Sequence, residues 1–448
     1  MSEPRVLVEH FFRHEFGRLS AVLTRSLGVR RLDLVEDVVQ AALAQALESW
    51  SRRGVPEDPA GWLYRTARNL AIDALRRERT HALALPRLAK DEDQESSPPE
   101  ARFADEIGDE PLRMLFVCCH EAAPAESRVA LALRTLCGFS TGEIARALLT
   151  TEANVQKRIE RARVRLRELD VDFDTPAVAQ LGARLDAVLA VLYLLFSQGC
   201  HVTHGDMPIR RDLCDEARRL ARMLAAHPGG DLPATHALLA MMSFHGARFD
   251  ARVAHDGAIV LLEEQDRSAW NWNDVREGMA WLARSATGDE LTRYHLEAAI
   301  AWEHCRAPSF AETDWSRISE LYHALERIAP SPLNTLNRAV AEAYSHGPRA
   351  GLDRLSAVPP EDVPARYPGW HLVIGELHFR LGRHPAAERA WREALRLTTA
   401  RADAEFLRRR LREIESATHR ETPDKVGGTA INDELWERER VGYDPRPT

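Results

Sequence analysis

The stretch that decides the fold is residues 139–167, FSTGEIARALLTTEANVQKRIERARVRLR. Its apolar residues recur at helical spacing twice, with a break between the two runs. Thr141 to Leu148 reads as a short first helix with Ile144, Ala145 and Leu148 inward. Leu149, Thr150 and Thr151 make the turn, and Thr151 suits the N-cap of a second helix. In that helix Val155, Ile159, Ala162 and Leu166 fall on one face. The opposite face carries Asn154, Gln156, Lys157, Arg158, Glu160 and Arg161. Two helices, a tight turn and a polar outer face make a helix-turn-helix, whose second helix enters the major groove of DNA. Its N-terminal half is placed to read base edges. Arginines further along neutralise phosphates, which adds affinity without sequence information. Position 149 holds leucine where such turns favour glycine.

Working outward, helical periodicity continues through most of the 448 residues, with no convincing apolar/polar alternation, so the chain reads as all-α. It is too long for one core and should divide into several domains. Residues 5–27 form a first amphipathic helix, with Val6, Phe11, Phe12, Phe16, Leu19, Val22 and Leu23 toward a core. Asp33, three before Glu36, suggests a capping-box start for a second helix ending near Ser49. After a loop at 50–57, Asp58-Pro59 supplies an N-cap and a proline at the first position of a third helix, 59–79. Trp62, Leu63, Thr66, Leu70 and Leu75 turn inward there and the arginines outward. Residues 83–108, with Pro86, Pro98 and Pro99, read as a flexible tether.

The chain carries 60 basic and 68 acidic side chains, a net charge of -8. Residues 91–110 hold nine acids against Arg102 alone, so the remainder is close to neutral. Within it, 62–79 (Arg65, Arg68, Arg76, Arg77, Arg79) and 157–167 (Lys157, Arg158, Arg161, Arg163, Arg165, Arg167) are basic. Local basic stripes in an acidic chain are the footprint of a nucleic-acid binder, although solvated helix faces can look alike. No apolar run is long enough to span a bilayer, and the N-terminus lacks the apolar segment of a signal peptide. No membrane association and a cytoplasmic location are expected. No phosphate loop, dinucleotide fingerprint or hydrolase motif occurs, which argues against an enzyme; no cofactor is expected. Cys118-Cys119-His120 lacks the spacer of a zinc site, and Cys200, His201, His204 and Cys214 read as structural, so no metal is expected. Trp270, Trp272 and Asp274 read as packing more than as pocket lining.

DVVQAAL (37–43) and PAGWLYRTARNLAIDALRRER (59–79), followed by the helix-turn-helix, resemble extracytoplasmic-function (ECF) sigma factors of the sigma-70 type. The resemblance covers about residues 1–170. It implies a factor that binds core RNA polymerase and directs initiation at promoters with −10 and −35 elements. By this resemblance Asp37 and Gln40 contact the β′ clamp. Trp62, Arg65, Arg68, Asn69, Asp73, Arg76 and Arg77 engage the −10 element of promoter DNA, and the loop 50–57 captures a flipped base. The helix-turn-helix domain reads the −35 element and meets the β flap. Melting a duplex requires a place for unstacked bases and cations for phosphates, and 59–79 offers both residue types. Ala41 and Leu43 stand where the family often has an acid and an aromatic. In the family the tether runs through the polymerase cleft, where negative charge can mimic RNA. The competing reading is a helix-turn-helix regulator with a repeat-type sensor, which binds DNA without polymerase and has no need of 37–79.

Residues 171–417 resemble the extension of one ECF subgroup, which adds a helical domain and tetratricopeptide-like repeats; LCDEARRLARML (213–224) and LLEEQDRSAWN (261–271) carry that likeness. In 368–401, Gly375, Gly382, Ala387, Trp391 and Ala394 take the small, turn and aromatic positions of such a repeat. A weaker copy around 332–365 has Ala339, Gly351 and Leu355. The repeats imply a protein or peptide partner and a regulatory role. The expected plan is a region 2-like domain (1–82), the acidic linker (83–108), a region 4-like domain (109–170), a helical extension (171–290), repeats (291–417) and a loose tail (418–448).

Overall fold

The computed structural model describes residues 3–78, 110–148, 150–169, 178–200, 209–254, 260–364, 367–398 and 401–421. Every regular element among them is helical, as the periodicity predicts. The tether at 83–108, Leu149, the boundary near 170–176, His201, His204 and the tail beyond 421 lie outside the described residues, as do the side chains of Val6, Phe11 and Phe12.

Helices α1 (Glu3–Leu27), α2 (Leu32–Arg53) and α3 (Pro59–Glu78) come first. They share a core of Phe16, Leu19 and Leu23 from α1, Val35, Val38, Val39, Ala42 and Ala46 from α2, and Leu63, Ala67 and Ala71 from α3. The alanines at four-residue spacing on α2 and α3 let the two backbones approach closely. Asp58 caps α3 as expected, its Oδ1 accepting the Gly61 N–H at 2.9 Å. Trp62 is half-buried and meets the Trp50 ring edge-on at 5.6 Å. The start of α2 differs from the expected capping box. Its N-cap is Arg31, which makes no side-chain cap, and Asp33 and Glu36 both lie inside the helix. Their carboxylates are committed to longer-range partners, described below.

Helices α4 (Glu110–Cys118), α5 (Ala125–Thr135), α6 (Thr141–Ala147) and α7 (Glu152–Glu168) follow. Ser140 and Glu143 form a capping box at α6, and the Thr151 hydroxyl accepts the Asn154 N–H at 3.3 Å to start α7. The extension opens with α8 (Val178–Cys200), α9 (Arg211–Ala226), α10 (Pro233–Gly246), α11 (Trp272–Ser285) and α12 (Arg293–Arg306). These elements do not keep separate cores. One apolar cluster runs from Ala21, Val29 and Leu32 through α4–α7 into α8–α12. The reason lies in α4, where Leu112, Met114, Leu115, Phe116, Val117 and Cys118 are all buried. A helix apolar on every side must be covered on every side. α1 covers it from one direction and α8 from another. Arg184 of α8, 6% exposed, reaches into this junction and pairs with Glu121 at 2.8 Å.

Helices α13 (Trp315–Ile328), α14 (Pro332–Ser345) and α15 (Pro348–Ser356) pack in sequence, and the last two open on proline. Arg338 of α14 pairs with Glu326 of α13 at 2.7 Å, and Glu342 of α14 pairs with Arg354 of α15 at 2.8 Å. The described residues divide into two compact units, and the second falls within 364–398 and 403–421. It contains α16 (Pro368–Arg380), α17 (His384–Leu397) and most of α18 (Arg401–Glu421). Here the small-to-aromatic pairing read from sequence is realised. Trp391 is fully buried, and a Cβ at Gly375 would come within 2.3 Å of its ring. Gly375→Ala should therefore destabilise this unit by about 1–3 kcal/mol through overpacking. Gly182→Ala on α8, where a Cβ meets nothing within 4 Å, should be neutral or slightly stabilising. Denaturant unfolding of the two variants checks the contrast.

Candidate nucleic-acid interface

Helix α7 buries Val155, Ile159, Ala162 and Leu166, the four residues that the spacing put inward. Gln156, Lys157, Glu160 and Arg161 are exposed on its outer side. Asn154 is half-buried and its side-chain amide donates to Thr150 Oγ1 at 3.0 Å. Arg158 differs from its exposed neighbours. Its side chain is only 16% exposed and pairs with Glu126 of α5 at 2.6 Å. The first three turns of α7 thus present exposed polar side chains where a groove-entering helix reads bases, and the outer side continues through Arg165 and Glu168.

On α3, Arg65, Asn69, Asp73, Arg76 and Arg77 are exposed, and Arg68 is half-buried. Arg65 lies 3.7 Å from Asp58 and Arg76 lies 3.8 Å from Asp73, loose pairs on a solvated face. Such exposed pairs hold their cations weakly, so phosphates can displace the acids. Asp37 and Gln40 are exposed together on α2, one turn apart. The structure therefore brings the α3 residues and the α2 pair onto one three-helix unit, with the α7 residues on a neighbouring one.

The second half of α7 is not free. Arg163, 16% exposed, bonds Glu36 at 2.6 Å and Asp33 at 2.7 Å on α2. Arg167 adds a contact to Asp33 at 3.4 Å. Glu36, 6% exposed at its side chain, also accepts from Thr135 Oγ1 at 3.1 Å and Arg134 Nε at 3.4 Å. Burial works against the Arg163 charge, but Glu36 and then Asp33 outweigh it and hold the guanidinium above the ordinary arginine range. Gly17 of α1 completes the contact. A Cβ there would lie 2.0 Å from the Leu136 carbonyl oxygen, so only glycine admits this approach.

Sequence reading missed this interface. The signals were a glycine inside an otherwise regular helix at 17 and two acids at a helix start that fit a cap equally well. Removing one partner of a buried pair strands the other, at about 3–5 kcal/mol. Glu36→Ala should cost on that order, whereas Asp33→Ala, at a half-exposed site, should cost under about 1 kcal/mol. Urea unfolding of both variants measures the difference.

The cysteines and aromatics singled out in the sequence lie elsewhere. Cys118 and Cys119 are buried free thiols, and burial pushes Cys119 up to about 12. Cys200 and Cys214 lie side by side, Sγ to Sγ 3.7 Å. Trp270 is buried, Trp272 is 45% exposed, and Asp274 pairs with Arg218 at 2.6 Å.

Comparison with known proteins accords with this geometry. Residues 11–81 match sigma-70 region 2, and residues 113–166 match sigma-70 region 4. Residues 184–286 match a family of unknown function, DUF6596. An uncharacterized protein of Rhizobium meliloti (strain 1021) is 39% identical over 384 residues, covering 85% of this chain and 90% of its own. No solved structure matches. Region 2 thus falls on α1–α3, region 4 on α4–α7 and the third match on α8–α11. With the basic helix α3, the helix-turn-helix of α6 and α7 and the extension in this order, the chain belongs to the sigma-70 family of transcription initiation factors, as an ECF-like member with a C-terminal extension.

Proposed function

We propose that this sigma factor binds core RNA polymerase through Asp37 and Gln40 of α2 at the β′ clamp and through its region 4 at the β flap. In this reading Trp62, Arg65, Arg68, Asn69, Asp73, Arg76 and Arg77 engage and melt the −10 element. Asn154, Gln156, Lys157, Glu160 and Arg161 address the −35 element, and Arg158 joins them on leaving Glu126. The observation that carries the reading is the split of α7: an exposed N-terminal half beside a C-terminal half held on region 2.

That split has a geometric consequence. Elements named −35 and −10 lie some 25 base pairs apart, about 85 Å along B-DNA. Gln156 stands about 10 Å along α7 from Arg163, and α2 is about 33 Å long by helix rise. Arg163 thus clamps region 4 onto Asp33 and Glu36 of region 2, which fixes the spacing of the two reading surfaces. We read this arrangement as a closed form, in which use of both elements requires region 4 to leave region 2. The extension, packed on α4 and α5 through α8 and Arg184, is the element placed to regulate that step.

Reconstitution with core polymerase tests the assignment. The full chain should bind core and yield promoter-specific transcripts. DNA binding without core binding would instead favour the simple regulator. Gly17→Leu, which wedges α1 from Leu136, should raise core binding or transcript yield several-fold; an unchanged yield with normal folding would count against the closed form. Arg161→Ala should weaken DNA binding across sequences and lower the salt slope by about one. Gln156→Ala should relax preference at one upstream base, costing about 1–3 kcal/mol of discrimination. Binding titrations at several salt concentrations separate the two.

A further inference from the structure

Away from the DNA-reading surfaces, the extension gathers cations that pair with no carboxylate among the described residues. Trp270, 3% exposed, has two guanidinium groups over its ring, Arg267 at 4.6 Å and Arg248 at 5.5 Å. Arg267 Nη1 donates to the carbonyls of His304 and Ala307 at the end of α12, at 2.5 and 2.8 Å. Arg248 has one long bond, from Nε to Gln265 Oε1 at 3.4 Å. Arg252 is a third cation nearby: burial first, then Arg252, pulls Arg248 down to about 10. Neither Arg248 nor Arg267 pairs with a carboxylate among the described residues.

Of the acids close in sequence, Asp256 lies outside the described residues, Glu264 is exposed, and three others are committed elsewhere. Asp250 holds Arg211 at 2.5 Å, and Asp266 accepts the Ser268 N–H at 2.8 Å. Glu263 accepts from the Tyr344 hydroxyl at 3.4 Å. Glu312, whose charge Arg267 feels, is exposed and bonded to the Ser309 hydroxyl at 2.7 Å. What is left over is polar and buried. Arg267 Nη2, Trp270 Nε1 and His304 Nδ1 are shielded from solvent, with no hydrogen-bond partner among the described residues. His304 lies near enough to both arginines that, after burial, they are the causes holding it down at about 3.

A buried cation persists when paired, and a buried N–H when bonded. Two arginines with no carboxylate partner among the described residues, and three buried nitrogens, Arg267 Nη2, Trp270 Nε1 and His304 Nδ1, with no hydrogen bond there, fit a missing acceptor of negative charge. We propose that the Arg248–Arg267–Trp270–His304 cluster is a binding site for a small oxyanion, a carboxylate or phosphate group on a small molecule. The guanidinium fork matches either group in a bidentate way. Binding here does not depend on the promoter-recognition reading, so its test uses no DNA or polymerase.

The test is thermal unfolding of the full chain in inorganic phosphate, malonate or chloride at matched ionic strength, with calorimetric titration. Phosphate or malonate at about twenty times its Kd should raise Tm by roughly 2–5 °C over chloride. Which of the two acts decides between a phosphate and a carboxylate source. Arg248→Met removes a cation without a counter-charge, so it should fold at least as well without anion and lose the response. That combination separates a lost site from a damaged fold. An equal response in wild type and Arg248→Met would mean an adventitious ion only and would overturn the proposal. So would no response to either oxyanion. A response seen only in Asp256→Asn would assign the site to the chain's own carboxylate and overturn it as well.

Discussion

The buried carboxylate of Glu36 is the interaction on which the first 170 residues depend. An acid at 5% exposure inside an apolar helix face is costly alone, and it is tolerated here because three partners converge on it. Two of those partners, Arg134 and Thr135, close α5, and the third, Arg163, comes from the DNA-reading helix. One side chain on region 2 therefore sets the position of region 4. The glycine at 17 removes the steric obstacle and the carboxylate supplies directionality. Apolar packing alone, through Ala21, Val29 and Leu32, would hold the two regions together without fixing their register.

The extension is bound into the same object. α4 is buried on every side, so region 4 cannot present a finished surface without α8. Arg184 shows how specific that cover is, with one guanidinium meeting the Glu121 carboxylate and the Phe116 carbonyl at the junction. The extension is thus part of the region 4 core and more than a cargo on a linker. A chain cut near residue 170 would expose the apolar faces of α4 and α5 that α8 covers. Its behaviour would report loss of packing as much as loss of regulation.

Much of this was legible beforehand. The helical class, the inward quartet of α7, the Thr151 and Asp58 caps and the Gly375–Trp391 pairing follow from periodicity and from local chemistry within a few residues. What escaped were contacts between residues far apart. Asp33 and Glu36 have the spacing of a cap, and only the fold shows that their partners sit on α5 and α7. Arg158 and Arg163 look like their exposed neighbours in the basic run because helix position alone does not reveal what packs alongside. The burial of Trp270 is as the sequence suggests, but the two arginines over it stand 19 positions apart and no local pattern connects them.

The same long reach has a consequence for how the molecule is made. Glu36 and Thr135 are 99 positions apart, and α4 needs a helix that begins at 178. Region 2 has a core of its own that can form as soon as α3 has left the ribosome, while Ala21, Val29, Leu32 and Glu36 gain their cover from region 4. Region 4 cannot, because its own cover is translated after it. At about 5–20 residues per second, its apolar helices wait several seconds for α8. Throughout that interval the nascent chain displays a largely formed region 2 and an unfinished region 4. The extension, made last, thereby sets the moment at which the factor first becomes whole.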